Sequence, residues 1–106
     1  MARTLLNVPK TARGGEVIEI RALIAHPMET GFRPGADGKV QPRNIILRFA
    51  CRYNGEQVFA AELFPAISAN PYVAFHTVAT ESGAMEFDWE GDNGFAQTER
   101  VAITVT

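Results

Sequence analysis

The sequence has a single cysteine, a single tryptophan and no run of 18 apolar residues. One cysteine excludes an internal disulfide and any metal site built from several thiolates. Without a long apolar run, no segment reads as a membrane-spanning helix. Neither sign of charge is in excess: 10 Lys and Arg against 12 Asp and Glu give a formal net charge of −2. Proteins that bind nucleic acid present a basic face to the phosphates. Here the basic residues scatter from Arg3 to Arg100. Neither nucleic acid nor a membrane is expected as a partner. The opening "MARTLLNVPKTARGG" also lacks an apolar stretch of the length a secretory signal needs. The expectation is a chain without a signal of its own in this sequence: retained in the cytoplasm, exported by another route, or separated from a signal it once carried.

At 106 residues the chain is one domain, spanning 1–106, with enough length for one modest core. Period-2 alternation dominates it. Ile18, Ile20, Ala22 and Ile24 share one face of "EVIEIRALIAH", with Glu19 and Arg21 on the other. In "IILRFACRY" the same count puts Ile45, Leu47, Phe49, Cys51 and Tyr53 together, against Arg48 and Arg52. In "MEFDWEG", Met85, Phe87 and Trp89 alternate with Glu86, Asp88 and Glu90; near the end Val101, Ile103 and Val105 alternate with polar residues. Such patterns mark antiparallel sheet with one dry face and one wet face. Asn54-Gly55 is a two-residue hairpin signal, because a type I′ turn needs positive φ twice. Strands are expected near 3–8, 16–26, 44–53, 56–64, 71–79, 84–90 and 97–106. "FPAISANP" is read as a crossover between sheets, with a helical turn as the alternative. Seven short strands at this spacing predict an all-β, immunoglobulin-like antiparallel sandwich.

The stretch "LIAHPMETGFRPGADGKVQPRN" (Leu23 to Asn44) raises the chemical question. His26 and Met28 sit two residues apart where a strand gives way to a Gly/Pro-rich excursion. With His76, Cys51 and Met85 they complete the inventory of a cupredoxin-like copper site, the alternative reading of the chain. Blue-copper sites, however, draw their ligands from one short loop near the C-terminus, and "TERVAITVT" carries none. Cys51 is in register with Phe49 and reads as a buried thiol of low reactivity. Glu86, Asp88 and Glu90 form an acidic row without the spacing of a calcium loop. That row reads as a solvated strand face that discourages edge pairing. Ser68, Ser82 and His76 lack a nucleophile-elbow context. No catalytic residue, metal or cofactor is therefore assigned, and the chain is not expected to be an enzyme.

The stretches "IRALIAHPMETGFRPGADGKVQPRNII", "FACRYNGEQVFAAELFPAISANPYVAF" and "VATESGAMEFDWEGDNG" together resemble the SoxZ family. This is the smaller subunit of the SoxYZ sulfur carrier in bacterial thiosulfate oxidation. The combination "HPMETG…ANPY…DNG" carries the likeness across nearly all of the chain beyond the first strand. The resemblance implies an immunoglobulin-like sandwich and a non-catalytic subunit that pairs with SoxY, whose glycine-flanked cysteine carries the sulfur intermediates. It implies transient contact with other Sox enzymes through that complex, and a periplasmic location reached in company with SoxY. This chain ends in "TVT", without a cysteine arm. A homodimer is expected when SoxY is absent. The candidate partner-contact residues are His26, Met28, Phe32, Phe64, Ile67, Tyr72 and Phe95, which lie on or beside the irregular segments.

Overall fold

A computed structural model describes residues 2–106 and shows an immunoglobulin-like β-sandwich. Its strands are β1 (Thr4–Asn7), β2 (Thr11–Ala12), β3 (Val17–Ile24), β4 (Ile46–Tyr53), β5 (Glu56–Glu62), β6 (Tyr72–Val78), β7 (Gly83–Gly91) and β8 (Ala96–Val105). One sheet has the order β1-β3-β6 and the other β2-β8-β7-β4-β5. All pairings are antiparallel except β2 on β8, which is parallel.

Every expected strand is present, and the first is followed by a short extra one. Pro9 lacks the N–H needed to continue a ladder. The chain leaves β1 in the small sheet there and re-enters as β2 on the large one. Asn54 and Gly55, at φ 50° and 85°, make the expected tight turn between β4 and β5. "FPAISANP" carries the chain from the large sheet to the small one, with a single turn in which the Ile67 N–H donates to the Phe64 carbonyl.

The dry faces close on one another around Ile18, Ile20, Ile24, Phe49, Cys51, Phe75, Met85, Phe87 and Trp89. Trp89 lies 5.3 Å from Phe49 and 6.4 Å from Phe87, ring centre to ring centre. Tyr53, on the inner face of β4, reaches across the core to the β6–β7 connection. Its hydroxyl accepts the N–H groups of Thr80 and Glu81, each at 3.2 Å.

Two expectations about faces are corrected. Leu47 is 36% exposed, while its neighbour Ile46 is fully buried. The β4–β7 register shifts between Ile46 and Arg48, so a bulge lets Ile45 and Ile46 both point inward and turns Leu47 out. The acidic row, in turn, guards no edge. β7 lies between β8 and β4, and the row faces Arg52 from β4. Asp88 accepts from Arg52 Nε at 3.0 Å and from Thr98 Oγ1 at 2.7 Å. These charges tie the outer faces of three central strands together.

Candidate functional site

The long excursion between β3 and β4 is built as a ribbon. Glu29 and Asn44 exchange both backbone hydrogen bonds at 2.8 Å, and an isolated bridge joins Pro34 to Val40. The Gln41 N–H donates to the Arg33 carbonyl at 2.9 Å, and Arg33 pairs with Glu29. Gly31 stands at φ +89°, and a Cβ there would meet the Arg43 Cβ at 3.0 Å. Only glycine takes that backbone angle without strain while letting the ribbon close so tightly.

The three motifs behind the family resemblance meet at the root of this ribbon. Asn70, at φ 56° in "ANPY", accepts the His26 N–H on Oδ1 at 3.0 Å. Its own N–H donates to the His26 carbonyl at 2.8 Å. Asp92, in "DNG", takes Arg43 in a two-pronged pair with both contacts at 2.8 Å, and also accepts the Ile45 N–H at 3.1 Å. Such forked pairs fix geometry as well as charge. The Arg43 guanidinium holds the Asp92 carboxyl below its ordinary range. Gly91 lets β7 approach β4, since a Cβ there would sit 2.5 Å from the Ile45 carbonyl oxygen. One end of the sandwich is thus locked by contacts between residues far apart in sequence.

His26 and Met28 are part of that lock. Both are buried. The Met28 N–H donates to His26 Nδ1 at 3.1 Å, and the Ile46 N–H points at the Met28 sulfur at 3.3 Å. With Nδ1 accepting, the neutral ring carries its proton on Nε2. The ring also meets Phe95 edge-on at 5.2 Å, and Phe95 itself is half-buried against the core. These three side chains therefore shape the end of the sandwich from within. Phe32 (81% exposed), Phe64 (59%), Ile67 and Tyr72 lie open on the surface.

Burial pushes the His26 pKa below the ordinary imidazole value of 6.5, against a smaller opposing pull from Asp92. As pH falls, the unfolded chain therefore takes up this proton before the folded one does. The contribution is complete above about 6.5 and is lost as pH falls from there through the lower folded-state value. The urea midpoint is expected to drop between pH 7.5 and pH 5 by more in the wild type than in His26→Gln. Equal drops would contradict this assignment.

The copper-type ligand set does not converge. His26 is at the ribbon root, Cys51 and Met85 are in the core, and His76 is on the outer face of the small sheet, 3.7 Å from Glu19. Among the described residues no three His, Cys, Asp or Glu side chains form a metal-sized cluster. Burial raises the Cys51 thiol to about 12, with Asp88 adding to the effect. At neutral pH almost no thiolate exists to react. Alkylation of Cys51 is expected to be slow in native protein and fast in denaturant, and equal rates would contradict its burial.

The exposed features form two surfaces. Arg43, Ile45, Leu47, Arg48, Glu62 and Phe64 line a shallow groove beside the ribbon root. Phe32 follows Gly31, which packs on Arg43. Leu47 belongs to it only because of the bulge, for which the sequence offers no local signal. The second surface is the outer face of the small sheet, where Leu5, Leu23 and Tyr72 stand side by side across three strands. Leu5 and Leu23 were not among the expected contact residues. Leu23 was detectable, because it continues the wet phase of Glu19 and Arg21 with an apolar side chain.

A family model described as "Sulphur oxidation protein SoxZ" matches residues 6–102. No curated protein matches. Among solved structures, superoxide reductase (neelaredoxin) from Ignicoccus hospitalis is similar at a TM-score of 0.76 and 16% identity, over 99% of this chain and 82% of that one. The sulfur carrier protein SoxY from Chlorobium limicola f thiosulfatophilum is similar at a TM-score of 0.69 and 10% identity, over 97% and 78%. At such identities the likeness is one of fold.

Proposed function

The chain belongs to the SoxZ family of sulfur-oxidation proteins, and on that premise we propose that it is the non-catalytic subunit of a sulfur-carrier complex. It binds SoxY, and SoxY's cysteine carries the sulfur intermediates to the other Sox enzymes. The observation that carries this reading, beside the family match, is the state of Cys51. The chain's one thiol is sealed in the core with its pKa raised to about 12. A sulfur adduct exchanged among several enzymes needs an exposed, mobile and readily ionised thiol. That thiol has to come from the partner.

SoxY docks, in this proposal, at the ribbon end, against Phe32, Phe64 and Ile67 and the groove lined by Arg43, Leu47 and Arg48. Large apolar side chains beside arginines are the usual anchors of a contact surface. The interlocked backbone beneath them loses little freedom on binding, so less of the contact energy is spent on ordering. The complex works in the periplasm, which fractionation of cells would test.

Co-expression with SoxY tests the pairing. Light scattering should give a complex holding the two subunits in equal number. Phe64→Asp should weaken it by about tenfold or more, as loss of an anchor does, with the melting temperature of the free subunit unchanged. A wild-type chain that stays separate from SoxY would sink the proposal. An unaffected Phe64→Asp complex would move the interface elsewhere.

A further inference from the structure

The sandwich has four open edges, and three of them carry features that discourage further pairing. β2 has two residues, and β1 has four followed by Pro9. β5 carries Glu56 and Glu62, and its pairing with β4 is broken by a register shift at Cys51/Arg52. β6 differs. "YVAFHTV" has no Lys, Arg, Asp, Glu, Pro or Gly, and pairs with β3 without a break from Val17↔Val78 to Leu23↔Tyr72. It is an edge of seven residues with an unbroken register and no Lys, Arg, Asp or Glu.

The hydrogen-bond parity of that edge follows from its ends. The Ile24 N–H donates to the Pro71 carbonyl at 3.2 Å. The Ala79 N–H donates to the Glu16 carbonyl, and the Gly15 N–H to the Ala79 carbonyl, both at 2.8 Å. Alternation along an antiparallel ladder then turns Val73, Phe75 and Thr77 toward β3. The N–H and C=O groups of Tyr72, Ala74, His76 and Val78 point off the edge.

We propose that β6 is a strand-pairing site whose occupant is the β6 of a second copy, joining two small sheets into one six-stranded sheet. A two-fold axis through Phe75 sets Tyr72 opposite Val78 of the other copy and Ala74 opposite its His76. Each of the four outward residues then meets another outward residue, so every free N–H finds a free C=O. The side chains agree with the backbone. Leu5, Leu23 and Tyr72 form one cross-strand row, and Val78 and Val17 form another. The two-fold places them end to end, giving an apolar row of Leu5, Leu23 and Tyr72 from one copy and Val78 and Val17 from the other. Leu5, Val17, Tyr72 and Val78 are all exposed in the single chain. No like charges are brought opposite one another, because β6 carries none of the four charged residue types. An isologous contact of this kind closes on itself and stops at two copies.

Ala74→Pro tests this directly, since the N–H it removes is one that points off the edge, where proline is tolerated. Ala74→Lys serves as a second variant that keeps the N–H and adds an edge charge. Light scattering over a concentration series should show a dimer for the wild type, with each variant folded by circular dichroism and already dissociating at about tenfold higher protein concentration or above, a loss of 1.4 kcal/mol or more in pairing free energy. Amide exchange should slow at Tyr72, Ala74, His76 and Val78 in the wild-type dimer only. A monomeric wild type, or a dimer that both variants leave intact, would overturn the proposal. So would a wild type that is monomeric alone and loses SoxY on Ala74→Pro, which would give this edge to SoxY instead.

Discussion

Trp89→Ala should cost about 3–5 kcal/mol of folding stability, the range for truncating a buried tryptophan. Trp89 is 2% exposed and lies among Phe49, Phe87 and the inner faces of both sheets. Its ring faces residues of β4 and of its own strand β7, in the central part of the larger sheet. Removing it leaves a cavity that rigid strands on both sides cannot collapse to fill. A small domain has only about 5–15 kcal/mol in hand, so the loss is a large share of the total. The melting temperature should fall by roughly 10 °C or more. Trp89→Phe, which keeps an aromatic ring in the same slot, should recover much of it. A loss below about 1 kcal/mol, as for a surface substitution, would contradict the packing described.

The strands were legible because their alternation is local: Ile18 to Ile24 and Met85 to Trp89 each announce an inner face within a few residues. The tight turn at Asn54-Gly55 was legible for the same reason, since the pair itself supplies the two positive φ angles. The bulge in β4 was not. "IIL" is apolar throughout, and nothing in it says which residue the ladder skips. The ribbon root was hidden for a different reason. His26 is held by Asn70 and Asp92 by Arg43, across 44 and 49 residues, and no local pattern encodes such pairs. His26 and Met28 stood out as unusual residues on a loop. Their unusual character serves the architecture, and of the expected contact residues Phe32, Phe64 and Ile67 are the ones left exposed at that end.

The same separation between inside and outside governs the chemistry. Cys51 is in register with Phe87 on the next strand and is fully buried, so neither a sulfur donor nor an enzyme can reach it. For sulfur to load onto this chain, β4 would have to leave the sheet, at a cost comparable to global unfolding. The proposed division of labour therefore predicts an all-or-none result. After turnover with thiosulfate and the other Sox enzymes, the intact mass of each subunit of the purified SoxY complex should be measured under non-reducing conditions. SoxY should carry the added sulfur mass, and this chain should keep its unmodified mass with Cys51 free to alkylate once denatured. Sulfur mass on this chain, with SoxY unchanged, would contradict the account.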